Sequence, residues 1–362
     1  MAYTDIDDSS SAFQVKTWTG TGSSNALTLD GNSNLQPDWV MIKQTSGTQQ
    51  WNGYDVIRGV QKYICWNTNA QEETQSQGLT AFGSDGFTVG SDDMVNGGSS
   101  TYVGYCWEAG GSASSNSSGN ITSSVSANTT AGFSVVTYSG NGSAGATVGH
   151  GLGSAANLLM VKKKSSSGQW VYGSTGLDSS WDYFLFVDDT SAKGNGDNVF
   201  NDTAPTSSVF SIGNAGDTNA SGQTYIAYCF AEKQGFSKFG SYTGNGSATD
   251  GTFVYTGFKP AFVMIKCSSE SGSYTSWSMF DTTRQTFNVN AGKTLYANKS
   301  SAEGVRGNGS DSSTTIPAID MLSNGFKCRV LNDEVNNTAT YIYMAFAENP
   351  FTTSTGIPCT AR

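Results

Sequence analysis

One phrase occurs three times in the chain: Thr101-Tyr-Val-Gly-Tyr-Cys-Trp-Glu108, Thr224-Tyr-Ile-Ala-Tyr-Cys-Phe-Ala-Glu232 and Thr340-Tyr-Ile-Tyr-Met-Ala-Phe-Ala-Glu348. Within each copy both alternating sets of positions are apolar, aromatic or small, the pattern of a strand covered on both faces. A repeat with a period of about 100 residues divides the chain into domain-sized units, far longer than the units of a solenoid.

Three further landmarks recur in the same order. An aromatic leads into a glycine-rich turn at Trp18-Thr-Gly-Thr-Gly22, Tyr138-Ser-Gly-Asn-Gly142 and Tyr242-Thr-Gly-Asn-Gly246. An apolar run ends in lysine at Trp39-Val-Met-Ile-Lys43, Leu158-Leu-Met-Val-Lys162 and Phe262-Val-Met-Ile-Lys266. A Phe-centred strand follows at Gly86-Phe-Thr-Val89, Val209-Phe-Ser-Ile212 and Gly325-Phe-Lys-Cys328. Short aromatic and β-branched runs between Gly, Asn, Ser and Asp clusters read as strands and turns, and no window shows a 3.6-residue period. The fold class is all-β: three tandem antiparallel β-sandwiches of jelly-roll or concanavalin-like type.

The expected boundaries are 1–110, 131–234 and 235–362. Residues 111–130 are nearly all Ser, Gly, Asn, Thr and Ala, with Ile121 and Val125 isolated among them, and read as a flexible linker. Glu232-Lys-Gln-Gly235 leads straight into Phe236, so units two and three should form a rigid pair. Each unit is long enough to bury its own core, which favours beads over a continuous stack.

With 19 basic and 29 acidic residues, net -10, nucleic-acid binding is not expected. Lys162-Lys-Lys164 is the one basic cluster; Lys162 recurs as Lys43 and Lys266, and these read as strand-end lysines reaching solvent. No apolar run approaches the roughly 18 residues of a membrane span. Met1-Ala-Tyr-Thr-Asp-Ile-Asp-Asp8 is acidic and lacks the core of a secretory signal, so synthesis in a cytoplasm is expected. Only 13% of residues are charged, and a surface of hydroxyls and amides suits a particle exterior or an extracellular polymer.

The repeat also interprets the six cysteines. Cys106 and Cys229 share a position that holds Ala345 in the third copy. Cys65 aligns roughly with Val187 and Ala297, and Cys328 with Val89 and Ile212. Replacement by small or apolar residues marks Cys65, Cys106, Cys229 and Cys328 as core thiols. Cys267 and Cys359 have no such match, and a disulfide between them is unsupported.

Catalytic candidates are sparse. The single histidine, His150, sits in a glycine-rich turn and reads as solvated. The pairs Asp92-Asp93, Asp188-Asp189 and Asp333-Glu334 read as turn or surface acids, with loop-bound calcium as the competing use. Glu232 and Glu348, and Glu108 one residue earlier, read as charges that stop further strand pairing. Trp51, Tyr54, Trp170, Trp181 and Trp277 lie in the variable middle of the units. They are candidates to stack on glycans or anchor an interface, with sandwich core as the plainer role.

The segments Ile6-Asp-Asp-Ser9, Phe13-Gln-Val-Lys-Thr-Trp-Thr-Gly-Thr-Gly22, Asn32-Ser-Asn-Leu-Gln-Pro-Asp-Trp-Val40, Ser84-Asp-Gly-Phe-Thr-Val-Gly90 and Tyr102-Val-Gly-Tyr-Cys-Trp-Glu-Ala-Gly110 resemble virion structural proteins of marine tailed bacteriophages. The ending Tyr341-Ile-Tyr-Met-Ala-Phe-Ala-Glu-Asn-Pro-Phe351, with Gly356-Ile-Pro358 and Thr360-Ala-Arg362, is similar to the same group. The resemblance spans nearly the whole chain, and its members are often called tail-fibre or concanavalin-like proteins. It implies a non-enzymatic virion surface protein without a cofactor, made in the host cytoplasm and released by lysis, a route that also fits free thiols. The implied role is a tail fibre or receptor-binding component, in contact with other virion proteins and with a host surface glycan or protein. A homo-oligomer, a trimer for instance, would gain from multivalency. One alternative is a capsid decoration or head-fibre protein, favoured by the start of the first unit near Phe13. The other is a glycan depolymerase on a lectin-like scaffold, which would need a carboxylate pair in an aromatic-lined groove.

Overall fold

The structure is a computed structural model that describes residues 4–285, 293–304 and 318–358. It is an all-β assembly of antiparallel sheets, and one pairing scheme occurs three times. In the first copy the hydrogen-bonded order is Phe13–Thr19, Thr101–Trp107, Trp39–Gln44, Asn52–Asp55, Lys62–Cys65 and Glu73–Thr74. In the second it is Phe133–Ser139, Thr224–Phe230, Leu158–Lys163, Trp170–Ser174, Tyr183–Phe186 and Gly194–Asn195. In the third it is Ser237–Thr243, Thr340–Pro350, Phe258–Cys267, Ser278–Asp281 and Leu295–Tyr296. The repeated phrase is therefore an interior strand of each large sheet, joined on both sides.

A smaller sheet accompanies each large one. Gly86–Val89 lies between Asn25–Thr28 and Leu79–Gly83 and pairs with both. Ala146–Gly149 pairs with Val209–Ile212, and Gly325–Cys328 pairs with both Phe253–Tyr255 and Ile319–Leu322.

Strand alternation sends the two faces of the first and second large sheets to different cores, while both faces of the third belong to one continuous cluster. Val40, Ile42, Tyr102 and Cys106 pack with Leu27, Phe87 and Val89 of the first small sheet. Leu159, Val161, Tyr225 and Cys229 do the same with Val148, Phe210 and Ile212. The opposite faces meet one another: Trp39, Met41, Tyr105 and Trp107, Leu158, Met160, Tyr228 and Phe230, and Phe262, Met264 and Phe346 belong to one buried cluster. The last aromatics of the three phrases close a triangle, with ring centroids 6.5 Å apart for Trp107 and Phe230, 5.6 Å for Phe230 and Phe346, and 5.7 Å for Trp107 and Phe346. Trp39 stacks between Trp107 at 4.4 Å and Tyr228 at 4.2 Å.

This arrangement corrects two expectations. The copies are not independent beads, because beside the cores that the first and second copies keep between large and small sheet, the inward faces of all three large sheets share one buried cluster. Residues 111–130 are not a free spacer either. Ser114–Asn116 and Ser123–Asn128 extend the second large sheet beyond Phe133–Ser139, with Val125 opposite Val136. An edge strand needs little apolar area of its own, and here Ile121 and Val125 are buried while Ser123 and Ser126 fit beneath them.

Each phrase also builds a corner. Tyr102 Oη donates to Asp93 O and accepts from Gly97 N, both at 2.7 Å. Tyr225 does the same with Gly216 O and Ala220 N, and Tyr341 with Asp333 O and Asn337 N. The aromatic of the glycine-rich turn stacks on that tyrosine at 5.4, 5.2 and 5.1 Å in the three copies. A buried asparagine before each phrase, Asn96, Asn219 or Asn336, fastens the turn. Asn96 donates to Gly90 O and Ser23 O and accepts from Thr21 N; Asn219 uses Gly213 O, Ser143 O and Asn141 N in the same way.

Candidate functional site

Three of the five candidate aromatics, Trp51, Trp170 and Trp277, are seam anchors. Trp51, Tyr54, Trp170, Trp181 and Trp277 are all buried, so none presents a ring to solvent. Trp170 Nε1 of the second copy donates to Cys65 O of the first at 2.7 Å. Trp277 Nε1 of the third donates to Phe186 O of the second, and Trp51 Nε1 of the first to Tyr296 O of the third, both at 2.9 Å. The three bonds run round a closed ring. Tyr54 and Trp181 do not join it: Tyr54 Oη donates to Gln75 Oε1 and Trp181 packs edge-on against Phe200. The ring also corrects the register of one cysteine, since Cys65 corresponds to Phe186 and Tyr296, and Trp66 to Val187 and Ala297.

Two of the three seams carry a buried ionic network. Tyr228 Oη donates to Asp55 Oδ2 at 2.8 Å, and Arg58 holds the same carboxylate at 2.5 Å. Tyr105 Oη donates to Asp281 Oδ2 at 2.8 Å, with Arg284 at 2.5 Å and Glu303 2.7 Å beyond it. Both guanidiniums are held ionised by the adjoining carboxylates, which outweigh the cost of burial, while burial raises the pKa of both tyrosines. At the third seam the corresponding residues are Met344, Ser174 and Leu177. There Tyr172 lies edge-on to Trp277 at 5.0 Å instead.

The recurring lysines do not reach solvent. Lys43, Lys162 and Lys266 are fully buried, and burial pushes each ammonium down to about 8. Lys43 Nζ donates to Gln44 O and Gly47 O, Lys162 Nζ to Thr68 O of the first copy and Gly168 O, and Lys266 Nζ to Cys267 O and Thr190 O of the second. They donate to carbonyls at strand ends and in the adjoining loops, which gives each buried ammonium two acceptors. His150 is also buried: Nε2 lies 3.1 Å from Thr206 O, Nδ1 accepts from Leu152 N, and burial lowers its pKa.

Cys65, Cys106, Cys229, Cys267 and Cys328 are free and buried; Cys359 lies outside the described residues. No group of three or more His, Cys, Asp or Glu side chains able to hold a metal ion occurs among the described residues. Asp38 and Glu108 share a groove and both have raised pKa values, chiefly through burial. Its lining of Gln36, Gly110, Ala127 and Asn128 contains no aromatic ring, and Asp38 Oδ2 is occupied by the amides of Ala109 and Gly111. No described helix is long and apolar enough to cross a membrane.

Exposed rings and ionic groups converge at one surface cleft near the start of the third copy. A cleft of about 590 Å³ is lined by Asp5, Glu232, Lys233, Lys238, Tyr255 and Phe351, among others. Tyr255 is 60% exposed and Phe351 39%. Glu232 accepts from Phe239 N at 2.8 Å and from Lys238 Nζ at 2.9 Å, which occupies an amide on the outer strand of the third sheet and agrees with a charge that stops pairing. Asp5 is fixed by a backbone exchange with Gln234, donating to Gln234 O and accepting its N–H at Oδ2.

The exposed rings of the strand Phe253–Tyr255 are particular to the third copy. Strand register places Tyr255 where the other copies have Thr28 and Gly149, and Phe253, 45% exposed, where they have Ala26 and Thr147. Sequence reasoning passed over both because it favoured tryptophan; aligning the three copies at these strands would have shown two aromatics replacing small residues. No curated protein and no solved structure matches the chain significantly. A family model described as a domain of unknown function (DUF7483) matches residues 8–350, and the chain belongs to that family.

Proposed function

We propose that this chain is a non-enzymatic virion surface protein, a tail-fibre or receptor-binding component that contacts the host envelope. In this reading each copy of the repeat is a concanavalin-like sandwich. The observation that carries the reading is the cleft at Tyr255 and Phe351, a depression whose exposed rings come from the third copy and whose ionic groups come from Asp5, Glu232, Lys233 and Lys238. A packed β scaffold that carries such an exterior site is suited to presenting it. Contacts with other virion proteins, and assembly of several copies into a trimer, would supply avidity to a weak site.

Capsid decoration is the second reading, and the closed ring of copies favours it, because a compact body fits a lattice position as well as it fits a tail. Immunogold labelling of intact particles tests the placement. Label on the tail tip, with purified protein coating host cells and blocking adsorption, is the expected result. Label confined to the head, with no cell binding, would replace the receptor-binding role by decoration.

A further inference from the structure

We infer that the cleft between Tyr255 and Phe351 takes a short uncharged oligosaccharide; this rests on the receptor-binding reading. Two exposed rings offer faces to the C–H surfaces of a sugar, which gain from aromatic contact without any net charge. Around them stand two carboxylates, Asp5 and Glu232, and two ammoniums, Lys233 and Lys238, so the lining is balanced in sign. Sugar hydroxyls donate and accept at once, and such a mixed set can serve both needs.

The chain's overall charge of -10 argues against a uronate- or phosphate-rich glycan, which would meet a repelling field on approach. The Lys238–Glu232 pair at 2.9 Å further removes one cation from service to an anion. A lining that also includes Thr352 and Gln234 fits a ligand recognised by hydroxyl geometry. The cleft volume of about 590 Å³ lies within the usual range of small-molecule sites, roughly 300–1,000 Å³.

The test is titration of the full chain with a panel of uncharged di- to tetrasaccharides of hexoses and N-acetylhexosamines, alongside uronate- and phosphate-bearing analogues. Binding of at least one uncharged member is expected, nearly unchanged between roughly 50 and roughly 500 mM salt because no ion pair forms. Tyr255→Ala and Phe351→Ala should each weaken it about tenfold. Both side chains are exposed, so circular dichroism and melting should stay unchanged. Binding only of anionic members, binding indifferent to both substitutions, or no binding by any member would each overturn the inference. If no member binds while Tyr255→Ala still abolishes attachment to cells, the uncharged-glycan assignment fails and the receptor-binding reading stands.

Discussion

The indole of Trp107 lies 5.7 Å from the ring of Phe346, nearly perpendicular to it, at the centre of the molecule. These are the same position of the repeated phrase in its first and third copies, and Phe230, the second copy's equivalent, completes the triangle. One position of the repeated strand in each copy thus belongs to a core that no copy possesses alone.

The coordinated change at the third seam predicts a non-additive result. Asp55→Ser should cost ~3–5 kcal/mol, because it leaves the buried Arg58 guanidinium without its carboxylate. Asp55→Ser/Arg58→Leu/Tyr228→Met copies the Ser174, Leu177 and Met344 of the third seam and should cost less than the single change, despite three substitutions. Urea midpoints of the two variants decide it; a triple variant weaker than the single one would refute the coupling.

The tryptophan ring gives a second expectation. Trp170→Phe should cost about 1 kcal/mol, the loss of the indole bond to Cys65 O, and Trp170→Ala ~3–5 kcal/mol through the cavity added to it. Trp51 and Trp277 should behave alike. Equal effects of the Phe and Ala substitutions would show that the seam is not packed as described.

Lys43, Lys162 and Lys266 should titrate near pH 8, against about 10.5 for exposed lysines. With a folded pKa below the unfolded one, the cost of the buried charge is fully present below pH 8 and is relieved as the pH rises toward 10.5. The three lysines therefore make stability increase over that interval, whereas the buried thiols and phenols, with raised values, act the opposite way above about pH 9. Carbon-13 shifts of the lysine Cε resolve the sites individually, and three resonances that stay at 10.5 would contradict the burial.

The thiols supply a chemical test. Burial pushes Cys65 up to about 11 and Cys229 and Cys328 to about 12, so little thiolate forms at neutral pH. Cys65, Cys106, Cys229, Cys267 and Cys328 should resist an aromatic disulfide reagent in the native protein and react together in denaturant. Rapid labelling of any of them in the native state would show that the core around it opens.

Much of this was legible in the sequence, and the failures have physical causes. Alternation in Tyr102-Val-Gly-Tyr-Cys-Trp107 implies a strand covered on both faces, which it is. Nothing in the alternation says what covers the inward face, since Trp39, Met41 and Tyr105 would look the same against a private sheet as against neighbouring copies. Residues 111–130 were misread because composition measures apolar area, and an added edge strand needs only Val125 and Ile121 to hold it. The lysines carried a usable signal: Lys43, Lys162 and Lys266 end strands in all three copies, and recurrence at a surface position would have no physical cause. The cleft was the least legible part, because Tyr255 and Phe351 acquire meaning only when the turn at 233–235 and Asp5 are brought beside them.

Calorimetry of the full chain tests the shared core most directly. One inward cluster joining all three copies predicts a single endotherm whose calorimetric and van't Hoff enthalpies agree for the whole chain. Two or three separable transitions, with any copy melting independently of the others, would contradict it.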